Sequence, residues 1–206
     1  MKPERIVSLT DGIFAIAMTL LAFQIHVPHL PAHESSAAFL SGIGVIGTQA
    51  IIYAISFMVL AVYWVSHHIQ FAFIKRLNLR LIWLNITFLL LIGFVPFSAA
   101  LLGTYPHEQV AILVYGTNLM LCSLMLYLIW EYATHHSWMI EEARLPAATS
   151  RSVNRRILGV PAFYFWGIAA SFIDTRLSLI LFAIPPVFSL LPIRARQRAT
   201  GEPVKE

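Results

Sequence analysis

Charge is what this 206-residue chain has least of: Asp, Glu, Lys and Arg make up 12% of it, against 58% hydrophobic residues. With a mean hydropathy of +0.74, there is too little polar surface to coat a body in water, so the apolar excess must face lipid, protein or both. A soluble monomer is excluded. Cysteine is almost missing too. Cys122 is the single one, so no internal disulfide forms and the fold depends on no oxidising compartment. A glycine-rich phosphate loop is absent, as is any nucleophile with a base and a supporting third group, which removes the enzyme classes built on them. The net charge of +4 does not point to nucleic acid, because the basic residues sit in short connectors instead of on one aromatic-bearing face.

What is present is a series of charge-free runs, each near the 20 or so apolar residues that a spanning helix needs. They place helices at about 5–27, 45–67, 81–104, 109–133, 157–173 and 177–193. The residues between Ser35 and Gly44 read as an outer loop leading into the second helix. The chain 1–206 is therefore expected to be one all-α integral membrane six-helix bundle. Lys2 and Arg5 before the first run imitate a signal peptide, but the run is too long and no small-residue cleavage site ends it, so it stays as helix one. Six spans bring both termini to one side. All but one of the 14 Lys and Arg residues fall on that side, the exception being Arg176, so both termini are expected in the cytoplasm. The connector from Glu141 to Arg155 is the one sizeable inner loop and is too short for a catalytic domain.

Polar side chains inside the apolar runs carry the next step, since lipid tolerates an ionisable group only when it has partners. Asp11 lies one to two turns inside helix one. Helix two brings Trp64, His67 and His68 to the inner face, and helix three starts there with Asn85, so these groups share one depth. Trp64, His68 and Phe71 share a stripe at i, i+4 and i+7, with His67 beside it. A hydrogen-bonded cluster of Thr10, Asp11, His67 and Asn85 is expected, serving either as glue between helices or as a contact for a transported ion. On helix one, at about 100° per residue, Ile16, Leu20 and Phe23 fall in a narrow sector with Thr19 at its edge, while Asp11 points about 140° away. Such a stripe also suits lipid or core, and periodicity does not identify a channel.

The run from Arg5 through Leu9, Thr10 and Asp11 to Thr19, Leu20 and Leu21 resembles the R-x-x-x-F-S-D signature, followed by T-L-L, of the transmembrane protein 175 family of potassium channels. The resemblance continues through Trp64, His67 and His68, then Trp83 and Asn85, then Pro96, Phe97 and Ser98, in the family's order. It implies a single-repeat subunit that assembles as a homotetramer, with helix one of each copy lining a central pore in a bacterial-type plasma membrane. It also implies a pore constriction at Ile16, further apolar layers at Leu20 and Phe23, and a polar layer at Thr19. Arg5, Thr10, Asp11, Trp64, His67 and Asn85 would then be the supporting network. Two departures stand out: Leu9 replaces the signature Phe, losing a ring expected to pack between helices, and Phe23 is bulkier than a leucine layer. No T-V-G-Y-G segment is present to replace an ion's water with carbonyls. Four Ile16 side chains would instead favour potassium, which gives up water more readily than sodium.

Other motifs fit structural roles. His26, His29 and His33 straddle prolines and lack a cysteine or paired carboxylate, so a metal site is not expected there. His135 and His136 are adjacent on a helix and point about 100° apart, which suits an interface better than a chelate. No cofactor is expected, and the partners are potassium ions, the lipid bilayer and further copies of the chain, with no nucleic acid. Two other function classes stay open. A proton-coupled cation transporter would use an Asp11/His67 relay, though such proteins normally show two related halves and this chain has no repeat. A membrane haem protein would pair His67 or His68 with His135 or His136.

Overall fold

Among the described residues the regular elements are helices. The computed structural model describes residues 3–26, 36–140 and 161–190. Among them are six α-helices: α1 Pro3–Ala22, α2 Ser36–Phe73, α3 Leu79–Thr104, α4 Gln109–His135, α5 over 161–170 and α6 Thr175–Leu190. A single 3-10 turn, Ser137–Met139, follows α4. Among the described residues, four stretches are long and apolar enough to cross a bilayer: α1, Gly42–Phe73 of α2, α3 and α4. The apolar part of α6, Thr175–Pro186, is shorter. His29, His33, the connector from Glu141 to Arg155, the first residues of the fifth expected helix and the basic tail with Arg194, Arg196 and Arg198 lie outside the described residues.

Two helices differ from the lengths that the charge-free runs suggest. Helix α1 ends at Ala22, five residues before the expected limit, and its last turn tightens through bonds from the amides of Phe23, Gln24 and Ile25 to carbonyls three residues back. The amide of His26, which a continuing helix would spend on Ala22, is taken at 2.9 Å by Oε1 of Gln49 on α2. Helix α2 is much longer than expected, with 38 residues. The Ser- and Gly-rich stretch read as a loop is helical from Ser36 onward, and Thr48 bonds back to the Gly44 carbonyl at 3.1 Å within that helix. Low intrinsic propensity at Gly44 and Gly47 is thus overridden by continuity with the apolar run that follows. Prolines do not end their helices either. Pro96 lies inside α3, and Pro185 and Pro186 lie inside α6.

Helices α3 and α4 form a hairpin whose shared core runs through Phe88, Ile92, Val95 and Leu102 on one side and Ile112, Leu119, Cys122 and Ile129 on the other. In lipid, apolar contact alone gives helices little reason to associate, so packing and interhelical hydrogen bonds hold them. The Tyr63 hydroxyl on α2 donates to the Leu119 carbonyl at 2.6 Å and lies 2.8 Å from Ser123 Oγ. Ser56 meets the Tyr115 hydroxyl at 3.0 Å, and Asn118 Nδ2 donates to Ser98 Oγ at 3.1 Å. Helix α6 is locked by shape. The Phe182 ring fills a slot where a Cβ on either Gly116 or Gly167 would collide with it. Tyr115 and Tyr164 flank that ring with centroids at 5.7 and 6.0 Å.

Candidate functional site

A short, well-tied turn sets the depth of the polar residues. Between α2 and α3, Ile74 forms an antiparallel bridge with Ile140, and the Lys75 amide donates to the Met139 carbonyl at 2.8 Å. Asn78 caps α3, its Oδ1 accepting from the Leu81 amide at 2.9 Å while its Nδ2 donates to the Tyr132 hydroxyl at 2.6 Å. His67 lies seven residues before Ile74 and Asn85 seven after Asn78. At about 1.5 Å per residue, each is roughly 10 Å from the turn, so the two side chains meet.

They meet as expected. His67 Nε2 lies 2.8 Å from Asn85 Oδ1, and Asn85 Nδ2 donates to Thr10 Oγ1 at 3.4 Å. Because the amide oxygen only accepts, the imidazole Nε2 is the donor in this arrangement. All three groups are buried, Thr10 to the point of having no exposed surface. The imidazole is enclosed by stacked rings, Phe71 with its centroid at 4.2 Å and Phe88 at 5.8 Å. Helical spacing sets Phe71 on one stripe with Trp64 and His68; in the fold Phe71 stacks on His67, while His68 is exposed and lies beside Trp64 at 5.7 Å. With Nε2 donating to Asn85, only Nδ1 of His67 is left for a further partner.

Asp11 belongs to a second branch. Its Oδ1 accepts from Trp64 Nε1 at 2.8 Å, and the residue is exposed. Neighbouring positions on a helix point about 100° apart, so Thr10 faces inward to Asn85 while Asp11 reaches sideways to α2. No hydrogen bond joins Asp11 to His67 among the described residues, so the carboxylate–imidazole contact that a relay needs is missing. Arg5 is exposed on α1 and takes no part in either branch.

The two sides of α1 are sharply different. Ile6, Thr10, Phe14, Ala17 and Leu21 are buried. The opposite side exposes Ile16 at 60%, Leu20 at 44% and, in the turn after the helix, Phe23 at 76%. Thr19 is exposed beside them and donates its hydroxyl hydrogen to the Ile16 carbonyl at 2.8 Å. Leu9 is half exposed, on the side of Ile16. Gln70, three residues after His67, is a polar residue that helical spacing alone does not single out. It is buried, donates from Nε2 to the Leu126 carbonyl at 3.3 Å, and keeps the one buried polar side-chain atom without a hydrogen-bond partner among the described residues, Oε1. An amide within a charge-free run was the available signal.

His26 uses its ring Nδ1 on the Gln24 carbonyl at 2.9 Å, and no group of three or more metal-binding side chains occurs among the described residues. His136 closes α4, its Nδ1 bonding to the Tyr132 carbonyl at 2.9 Å.

Comparison with known proteins places this arrangement. Residues 5–96 match the family profile described as endosomal/lysosomal potassium channel TMEM175. The crystal structure of a lysosomal potassium-selective channel TMEM175 homolog from Chamaesiphon minutus superposes with a TM-score of 0.78 and 27% identity, over 90% of this chain and 95% of that one. The chain is thus similar to the TMEM175 channels in its first half by sequence profile and over most of its length by fold. The proteins it resembles are named as ion channels and not as enzymes. Among its relatives, a potassium channel of Streptomyces collinus is 27% identical over 202 residues, covering 95% of this chain and 96% of the relative. The endosomal/lysosomal proton channel TMEM175 of Danio rerio is 26% identical over 185 residues, but this chain spans only 35% of its length.

Proposed function

We propose that the chain is the subunit of a homotetrameric, potassium-preferring cation channel in which α1 of each copy lines a central pore. Both termini are cytoplasmic, and the membrane is a bacterial-type plasma membrane. The single observation carrying this reading is the division of α1: one side is fixed to α2 and α3 by packing and by the Thr10–Asn85–His67 bonds, and the other leaves Ile16, Leu20 and Phe23 exposed. The bacterial relatives that match this chain over nearly their whole length, and that are called potassium channels, support the choice of ion.

Passage is passive. Ile16 forms the narrowest apolar ring, which is closed when dewetted and conducts when it is wide enough to admit an ion that has given up part of its water. Losing water is less costly for potassium than for sodium, so the preference is moderate and needs no ligand. Thr19 supplies a polar layer, and Leu20 and Phe23 continue the apolar wall. Thr10, Asp11, Trp64, His67 and Asn85 hold the helix at its angle, and Arg5 stands at the inner mouth. Proton coupling through Asp11 and His67 is the weaker reading, since the two groups use different partners.

The test is ion flux in liposomes under a potassium gradient, repeated with sodium, for the wild type and Ile16→Asn. The substitution is expected to change flux at least tenfold and to lower the potassium preference. If flux and preference both stay as they were, Ile16 does not line the narrowest passage and the reading fails.

A further inference from the structure

Gly12 has no reason to be glycine inside its own protomer. Glycine weakens a helix interior relative to alanine, and it is normally retained for a left-handed backbone or for the close approach of another group. Gly12 has neither: it lies within α1 without a positive φ, and a Cβ built on it meets nothing within 4 Å. The residue is exposed. Its neighbours on that side are Leu9 and Ile16, at i−3 and i+4, so at about 100° per residue the three share a sector roughly 60° wide. Along the axis Leu9 and Ile16 are about 10 Å apart, with Gly12 near the middle.

The geometry points to a second apolar ring at Leu9 and, between it and Ile16, a wide layer at Gly12 in which a cation waits with its water before crossing Ile16. This rests on the pore reading above and adds to it a resting site for a hydrated monovalent cation. Fourfold repetition of the stripe gives a ring, a gap and a ring. The gap is about three water diameters deep, taking 1.4 Å as the radius of water. Water is then stripped over one short step at Ile16 and regained beyond it. A side chain at position 12 would join Leu9 to Ile16 in one continuous apolar plug, which stays dewetted far more readily than two separate rings.

The chain suits a thiol-labelling test because its one native cysteine, Cys122, has no exposed surface. The full-length protein carrying Gly12→Cys is reconstituted in liposomes, and potassium flux is measured before and after a small cationic methanethiosulfonate reagent. Labelling is expected to cut flux at least tenfold. Failure to label, or complete labelling by mass spectrometry with flux unchanged, overturns the inference. Should Gly12→Cys not fold, Gly12→Ala is read instead: a severalfold fall in flux with the assembly intact on size exclusion is expected. Unaltered flux, or an assembly that falls apart, makes Gly12 something other than a pore layer. Leu9→Asn is expected to raise flux at least threefold, and no change removes the second ring. Ile16→Asn, run alongside, separates the two ideas. If it changes flux while the variants at positions 9 and 12 do not, the chamber alone fails; if it is silent as well, the pore reading falls.

Discussion

Helices α1 and α3 each turn an apolar stripe outward, and the two stripes are built differently. On α3 it runs through Leu79, Trp83, Ile86, Leu90, Phe94 and Phe97, all exposed and all large. They lie within a sector of about 80° at helical pitch, with exposed Gly93 and Thr87 about 20° beyond its two edges. On α1 the exposed side interleaves Leu9, Ile16, Leu20 and Phe23 with Gly12 and Thr19. Lipid chains reward a continuous wall of large side chains, which α3 keeps from Leu79 to Phe97, whereas α1 has no large exposed side chain between Leu9 and Ile16. An aqueous axis does the reverse, since ions need room and oxygen between the narrow points. Apolarity says only that a surface is not in bulk water, so on the proposed pore reading it is the break in large side chains on α1, and not apolarity, that sets its stripe apart.

The largest effect should come from placing the same polar group on each stripe. Ile16→Asn changes ion flux at least tenfold, and Leu90→Asn at a comparable depth changes it less than twofold per assembled channel. Liposome flux normalised to reconstituted protein reads both. Equal effects would mean that the two stripes face the same surroundings.

Next is the fastening that gives α1 its two sides. Asn85→Ala leaves the His67 donor and the Thr10 hydroxyl buried without partners, which costs about 1–3 kcal/mol. Thermal unfolding in detergent should show the loss, and flux should fall by more than the share of protein that unfolds, because α1 loses its angle. A fall in flux that merely tracks the amount of folded protein would reduce the branch to glue. Gly167→Ala sharpens the contrast from the far side of the molecule. The added methyl collides with Phe182 in the α4–α5–α6 slot, an overpacking defect worth about 1–3 kcal/mol. Stability should drop with the potassium over sodium preference unchanged, and a changed preference would tie that slot to the pore.

How much of this is legible in the sequence depends on distance along the chain. The spans are legible because a charge inside lipid is expensive, so Arg80, Glu108 and Glu131 punctuate the apolar runs. Thr10, His67 and Asn85 could be grouped because topology bookkeeping assigns them one depth, and the opposed sides of α1 follow from its 3.6-residue period. Contacts that depend on which helix lies next to which are another matter. Phe88 stacking on His67, Asn78 reaching Tyr132, and Phe182 wedged between Gly116 and Gly167 have no local periodicity to announce them. The length of α2 is also hidden, because serines and glycines of low helix propensity occupy its first turns. Leu9 is the instructive case. It lacks the ring that the resembled family packs between helices, it lies about 20° from Ile16 at helical pitch, and it is half exposed there.

The smallest expected effect tests the polar member of the α1 stripe. Thr19 spends its hydroxyl hydrogen on the Ile16 carbonyl at 2.8 Å, so only the oxygen lone pairs remain for anything passing its exposed side. That orientation suits a cation, since a hydroxyl oxygen fixed in this way presents its negative end and needs no reorientation when an ion arrives. Thr19→Val keeps the branched shape and helix preference of the side chain while removing the oxygen, so folding and assembly should change little. The potassium over sodium preference should fall about twofold to fivefold, which corresponds to roughly 0.4–1 kcal/mol at 1.4 kcal/mol per tenfold. Thr19→Ser, which keeps the oxygen, should restore most of it. Bi-ionic reversal potentials in planar bilayers resolve differences of this size. The same substitution at Thr87, which sits beside the α3 stripe and likewise bonds back to its own helix at the Trp83 carbonyl, should leave the preference where it was. A loss at Thr87 matching that at Thr19 would show that the hydroxyls act through helix geometry and not through contact with the ion.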